Sequence, residues 1–311
     1  MGDRPHAVPK SLARTVTELH GERGKRWLDS LPDLIASCEA RWRLTVLDAF
    51  APLTYNYVAP TVREDGSEAV LKVGVPCDEL RTEMEALRLF DGHGAVRLLE
   101  ADADRGVMLL ERVRPGASLW DATEDVAVGA AVSVMRRLPR PAPEGHPFPT
   151  TGRWGLGFRR LRRAFGGSGR GTGPFPPSLV DRAERLFMEL EATAGGAVVL
   201  HGDLHHGNIL AGTREPWLAI DPKGVVGETA YEVGAFVRNP TPDLFDRPEV
   251  ERVLKWRLDR FADELGHDRQ RLWGWSLAQA VLSAWWSYED HGAGWEPAIE
   301  CARLLERIER G

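Results

Sequence analysis

Hydrophobic positions recur along this chain with two different periods, and the change of period divides it. From Pro32, in the place a helix favours for its first residue, Leu34, Ile35, Cys38 and Trp42 follow at helical spacing and predict an amphipathic helix over 32–42. The stretches RLTVLDAF (43–50), YNYVAPTVR (55–63) and SEAVLKVGV (67–75) are rich in β-branched and aromatic residues and predict strands, with EDG at 64–66 as a hairpin turn. Helical spacing returns over 77–94, where Leu80, Met84, Leu87 and Phe90 share one stripe ahead of helix-stopping glycines. AVRLLEA and GVMLLERV then predict two more strands around the turn DADRG.

Past residue 114 the pattern becomes helical. Residues 119–138, 178–194, 228–238, 248–265, 268–290 and 297–310 predict helices, broken by Pro- and Gly-rich linkers at 139–152 and 166–177. Only AVVLHGDL, NILAG and PWLAIDP suggest short strands there. The chain is therefore expected to be an α+β protein of two unequal lobes: a β-rich 1–113 with an N-terminal helical segment, and a mainly helical 114–311. No internal repeat is visible.

Composition narrows the partners. A chain of 311 residues can bury a sizeable core, and its formal charge of −6 gives no support to a nucleic-acid or anionic-membrane partner, while a small cation is easily accommodated. Of 40 basic residues only five are lysines, Lys10, Lys25, Lys72, Lys223 and Lys255, which makes each of them conspicuous. Cys38, Cys77 and Cys301 are odd in number and far apart, which excludes a disulfide framework or zinc ribbon and fits a reducing cytoplasm. The start MGDRPHAVPKSLARTV has no apolar signal region, and His6 stands where myristoylation needs Ser or Thr. No segment approaches 18 apolar residues, so no membrane helix is expected.

The chemistry concentrates in VVLHGDLHHGNIL (198–210). Three histidines suggest a metal cage, but an HExxH helix would need Glu where Gly202 stands, and no cysteine is near enough to complete a tetrahedral set. A GxSxG elbow is absent, and so is a P-loop; the glycine-rich GGSGRGTG (166–173) lacks the lysine and is expected to be a flexible linker. What does match is the H-x-D-x-x-x-x-N spacing of phosphoryl transfer, in which a carboxylate orients an attacking hydroxyl and hard oxygens hold Mg²⁺. His201, Asp203 and Asn208 stand at those intervals, and Asp221 follows thirteen residues later at the end of the apolar run WLAI.

HGDLHHGN followed by AIDPKG resembles the aminoglycoside phosphotransferase family of protein-kinase-like small-molecule kinases. AIDPKGVVGETAYEVGAFVRNP (219–240) is similar to its branch containing streptomycin 6-phosphotransferases and hydroxyurea phosphotransferases, and the likeness extends back through LERVRPG, VLKVGVP and WLDSLPDLIASCEARW. The resemblance implies a two-lobed protein-kinase-like fold, with a small antiparallel N-lobe carrying one key helix and a larger helical C-lobe. It implies ATP and Mg²⁺ as cofactors, a small cationic aminoglycoside-like acceptor with streptomycin the first candidate, and a monomer or homodimer. Hydroxyurea or another metabolite is the alternative acceptor, and a non-catalytic pseudokinase the alternative class.

By the same resemblance Asp203 is the catalytic base, Asn208 and Asp221 hold the metal, and Lys72 pairs the nucleotide's α- and β-phosphates. Its carboxylate partner is Glu83 or Glu85; Glu83 fits the family pattern, whereas helix phase does not choose between them. Backbone groups between Glu111 and Val113 would bind the purine. His201 is expected to brace the loop, and His205 or His206 to touch nucleotide or substrate. The chain departs from the kinase pattern in two places: Asp221-Pro222-Lys223 replaces DFG, and the first hairpin, FAPLTYNYV (50–58), has no glycine, leaving Thr54 and Tyr55 to cover the phosphates. For the acceptor, SAWWSYEDHGAGWEP (283–297) offers Trp285, Trp286, Glu289 and Asp290, an aromatic and acidic set suited to a guanidinium or ammonium ligand and equally suited to a helix core and its end. The arginines of FRRLRRAF (158–165) are expected on a solvated helix face.

Overall fold

The computed structural model describes residues 8–166 and 171–310. The N-terminal readings up to Ala7 and residues Gly167–Arg170 of the glycine-rich run lie outside the described residues. The chain forms two compact units, one running to Gly92 and resuming over Val96–Gly116, the other made of His93–Ala95 and everything after Ala117.

The first unit begins with α1 (Lys10–Trp42), far ahead of the predicted start at Pro32. Leu12, Val16, Trp27, Leu31, Ile35 and Cys38 form one buried stripe, interrupted only by a kink at Gly21, whose φ of 52° is a conformation glycine adopts without penalty. Pro32 sits inside the helix instead of opening it, and the stripe on either side holds the helix together around the missing N–H. Arg43, at φ 50°, ends the helix, and the strand predicted over 43–50 shrinks to β1 (Leu44–Val46). Then come β2 (Tyr57–Arg63), β3 (Glu68–Val73), α2 (Asp78–Phe90), β4 (Leu98–Asp102) and β5 (Val107–Glu111). They pair antiparallel in the order β1-β2-β3-β5-β4. Alternation along β2 and β3 puts Tyr57, Ala59, Ala69, Leu71 and Val73 into one core with α1. The glycine-free hairpin 50–58 is tied to that core by Leu53, 7% exposed, whose carbonyl accepts from the Ser11 hydroxyl at 2.6 Å.

The short strand β6 (Pro115–Ser118) carries the chain into the second unit. There follow α3 (Glu124–Met135), β7 (Arg140–Pro141), α4 (Thr151–Gly166), α5 (Pro177–Ala192), β8 (Val198–Leu200), β9 (Ile209–Gly212), β10 (Trp217–Ala219), β11 (Val225–Gly227), α6 (Val233–Val237), α7 (Val250–Leu265), α8 (Arg269–His291) and α9 (Glu296–Arg310). The centre is α8, buried without a break from Leu272 to Leu282, as a helix enclosed by α4, α5, α6, α7 and α9 must be. The glycines of TGRWGLG do not prevent α4: a Cβ on Gly157 would come within 2.9 Å of Leu282, so the bare backbone lets α4 approach α8. The arginines of FRRLRRAF are not merely solvated. Arg160 pairs with Glu289 of α8, and Arg162 with Asp181 and Glu184 of α5.

The parts are those of an α+β protein with an antiparallel sheet in the first unit and mostly helices in the second. All three cysteines are free thiols. No helix among the described residues is long and apolar enough to cross a membrane.

Candidate active site

Two short antiparallel strand pairs in the second unit position the loop 201–208. β8 pairs with β11, Leu200 opposite Val225, and delivers His201 to the sheet's end; β9 pairs with β10, Ile209 opposite Ala219. One step beyond that register, the Ile220 amide donates to the Asn208 carbonyl at 3.0 Å, so Asp221 emerges beside Asn208. Asp221 has φ 58°, the left-handed region that a non-glycine residue adopts only where surrounding contacts hold it, commonly at functional sites. The Asn208 side-chain amide Nδ2 donates to the Asp203 carbonyl at 2.9 Å, closing the loop across five residues. Asp203 and Asp221 both act electrostatically on His201 and His205. Asp203, Asn208 and Asp221 thus come together within this unit.

The three histidines differ in kind. His201 is fully buried; its Nδ1 accepts the Asp203 N–H at 3.2 Å, so the proton sits on Nε2, which donates to the Ile220 carbonyl at 2.7 Å. Burial pushes its pKa down to about 4, which keeps it a neutral brace between the loop and the Asp221 turn. His206 is also buried, stacked on Phe236 with ring centres 4.0 Å apart, and burial together with Arg257 pushes its pKa down to about 2. It is a packing residue, not a ligand-facing one. His205 accepts the Gly207 N–H on Nδ1 at 3.0 Å and brings Nε2 to 3.8 Å from Asp203 Oδ2.

Gly202 has φ 85°, and a Cβ there would meet the Trp154 ring at 2.7 Å, so the turn that presents Asp203 requires glycine. Glu232 fastens the same turn from below: Oε2 accepts the His201 amide at 2.7 Å and Oε1 the Gly202 amide at 2.9 Å. Burial pushes the Glu232 carboxyl up to about 7, against the pull of those N–H donors. For Asp203 burial also acts upward, but His205, Arg238, Lys223 and His201 outweigh it, and the carboxyl is held below its ordinary value. An ionised carboxylate on a short, hydrogen-bonded loop can orient a hydroxyl and receive its proton.

In the first unit, Lys72 lies mid-sheet on β3, opposite Val58 and Met108. Its ammonium is bidentate on Glu83 of α2 at 2.6 and 2.8 Å, with side chains 3% and 8% exposed. Glu85 turns the other way and pairs with Arg88 at the surface. Glu111 ends β5, its amide donating to the Arg97 carbonyl at 2.9 Å, and Val113 follows with its side chain buried. Tyr55 is 52% exposed on the glycine-free hairpin.

The acceptor set on α8 is engaged in packing and in pairing with Arg160. Trp285 is 3% exposed, buried among Phe165, Phe175 and Tyr288, a core position that offers no face to a ligand. Glu289 is bidentate on Arg160, and Asp290 adds its field to the same guanidinium. The aromatic that reaches toward the loop is Trp286, packed edge-on against Trp154, which abuts Gly202. Sequence reasoning also passed over Glu232 and Arg238. Their signal was present: AYEVGAFVRNP sets one acid and one arginine in an otherwise apolar segment, and buried charges in such a run have to be paired with something.

No group of three His, Cys, Asp or Glu among the described residues could hold a metal by itself. The donor set nonetheless suits Mg²⁺. Asn208, whose Nδ2 is spent on the Asp203 carbonyl, and Asp221 both carry hard oxygens, and Mg²⁺ habitually completes one or two protein ligands with phosphates and water.

The fold is protein-kinase-like, and the sequence places the chain among the small-molecule kinases. The chain belongs to the aminoglycoside/hydroxyurea antibiotic resistance kinase family, whose model matches residues 41–291. It is 34% identical to a streptomycin 6-kinase of Streptomyces glaucescens, over 94% of each chain. It is 36% identical to a hydroxyurea phosphotransferase of Kitasatospora aureofaciens, over 91% of this chain and 81% of that one. A solved structure of a thermostable mutant of the aminoglycoside phosphotransferase APH(4)-Ia, a ternary complex with ADP and hygromycin B, shares the fold with a TM-score of 0.62 at 14% identity, covering 88% of this chain and 97% of that one.

Proposed function

We propose that the chain transfers the γ-phosphoryl group of ATP to a hydroxyl of a cationic aminoglycoside, streptomycin first among candidates. The observation that carries this reading is the loop itself: an ionised Asp203 held on a glycine turn, with Asn208 and Asp221 brought beside it. Asp203 orients the acceptor hydroxyl and takes its proton while the acceptor oxygen bonds to the γ-phosphorus and the bond to the ADP oxygen breaks. Transfer is direct, with no phosphoenzyme. Lys72, kept in place by Glu83, offsets charge on the α- and β-phosphates. Asn208 and Asp221 would hold Mg²⁺, which supplies charge neutralisation at the phosphates. The Glu111 carbonyl and the Val113 amide are the groups proposed for the purine, since the Glu111 amide is already committed to Arg97.

Hydroxyurea is the second acceptor class, favoured by the 36% identity to a hydroxyurea phosphotransferase. Phosphate-side residues do not distinguish acceptors, so substrate has to be measured. ATP consumption with Mg²⁺ is expected to rise with streptomycin above a panel of other aminoglycosides, hydroxyurea and no acceptor. Turnover confined to hydroxyurea would replace the aminoglycoside reading, and no turnover on any of them would remove both.

A further inference from the structure

The charged side chain gripping Asp203 comes from the far side of the loop's support. Arg238 follows α6 directly, is 9% exposed, and places Nη2 at 3.3 Å from Asp203 Oδ1. The backbone that carries it is pinned on both sides. Arg257, with no exposed surface, donates to the carbonyls of Phe236 at 3.2 Å, Val237 at 3.1 Å and Asn239, while its Nε and Nη2 hold Glu124 at 2.7 and 2.8 Å. The Thr241 hydroxyl donates to the Arg238 carbonyl. Nη1 of Arg238 is buried with no partner in the structure, so its contact with Asp203 is made through Nη2. The other Asp203 oxygen, Oδ2, has His205 Nε2 at 3.8 Å, beyond hydrogen-bond reach.

We propose that Arg238 is a positioning residue that fixes the rotation of the Asp203 carboxylate, gripping Oδ1 so that Oδ2 is the oxygen presented to the acceptor hydroxyl. This rests on the reading of Asp203 as the base. The terminal torsion of an aspartate is broad and nearly two-fold, so an ungripped carboxylate wanders. A misplacement of about 1 Å at a reacting group costs about 10²-fold in rate. Arginine suits the task better than lysine because its planar, weakly hydrated fork stays aligned while buried.

The test is steady-state kinetics with Mg·ATP and streptomycin for Arg238→Ala, Arg238→Gln and Asp203→Asn, with a thermal melt of each. Arg238→Ala is expected to lose about 10²-fold in kcat with both KM values little changed, and added guanidinium ion at millimolar concentration should restore part of that loss. Arg238→Gln, which keeps a polar side chain but is too short to reach Asp203 as the guanidinium does, serves if the alanine variant fails to fold and should show the same loss. Wild-type kcat in either folded variant overturns the inference, as does a loss in folded Arg238→Ala that guanidinium does not restore. Unimpaired turnover by Asp203→Asn would instead overturn the base assignment, leaving the two failures distinguishable.

Discussion

A lysine and a glutamate taken out of water together stand or fall together. Lys72 and Glu83 are almost fully enclosed and bonded through both carboxylate oxygens. Removing one partner leaves an uncompensated buried charge, at a cost of about 3–5 kcal/mol, whereas replacing both with apolar residues of similar size is often near neutral. Lys72→Met is therefore expected to unfold at a much lower denaturant concentration than wild type, and Lys72→Met with Glu83→Leu to recover most of that stability without recovering turnover. Urea denaturation and an ATPase assay on the same preparations check this; recovered activity in the double variant would deny Lys72 its phosphate role. Lys72 was legible in the sequence because so few lysines compete with it and it sits in an alternating strand. The choice between Glu83 and Glu85 was not, because Glu83 shares the buried face of α2 with Leu80, Met84 and Leu87, where a pattern of apolar positions gives a carboxylate no mark. Trp285 shows the converse: an aromatic next to acids looks like a binding patch in sequence, and the core claimed it.

At the scale of elements, the loop 201–208 is held by the segment around α6 as well as by the strand pairs that flank it. Glu232 holds the loop's amides and Arg238 its carboxylate. Each buried amide left without an acceptor costs about 1–3 kcal/mol. Glu232→Ala is expected to lower the melting temperature and kcat together, while Glu232→Gln, which keeps an acceptor oxygen, should be clearly milder in both. Equal effects of the two substitutions would show that the amides find other partners. Helices with a clean apolar stripe, such as α2 and α7, were predictable from spacing alone. The first half of α1 was not, because its stripe is sparse between Val16 and Trp27 and passes through Gly21, and because Pro32 imitates a helix start. The glycine-bearing start of α4 was hidden for a similar reason: its glycines serve close packing, a tertiary cause with no local signature.

For the molecule as a whole, three buried groups set opposing pH dependences. His201 and His206 have pKa values pushed down from 6.5 to about 4 and about 2, so between pH 4.5 and 6.5 the unfolded chain binds protons there that the folded chain refuses. Each adds about 1.4 kcal/mol of stability per unit as pH rises. Glu232, pushed up from 4.5 to about 7, is protonated in the folded chain and ionised in the unfolded one over that window, and subtracts about the same. Two outweigh one, so stability should climb from pH 4.5 to 6.5 and then level or dip toward 7, where only Glu232 still titrates. Urea midpoints across this range test the balance, and a flat or falling limb would contradict it. The hydrophobic period changes near residue 114, whereas the first compact unit runs to Gly116 and leaves out His93–Ala95, which no local pattern marks.

The central claim, that Asp203 directs an acceptor hydroxyl onto the γ-phosphorus of ATP, is tested most directly by following ³²P from γ-labelled ATP in a single turnover with streptomycin. The wild-type protein is predicted to place the label on streptomycin, and Asp203→Asn, folded to the same melting temperature, to do so at least about 10²-fold more slowly. Label that never reaches the acceptor, or that reaches it at an unchanged rate in Asp203→Asn, would contradict the account.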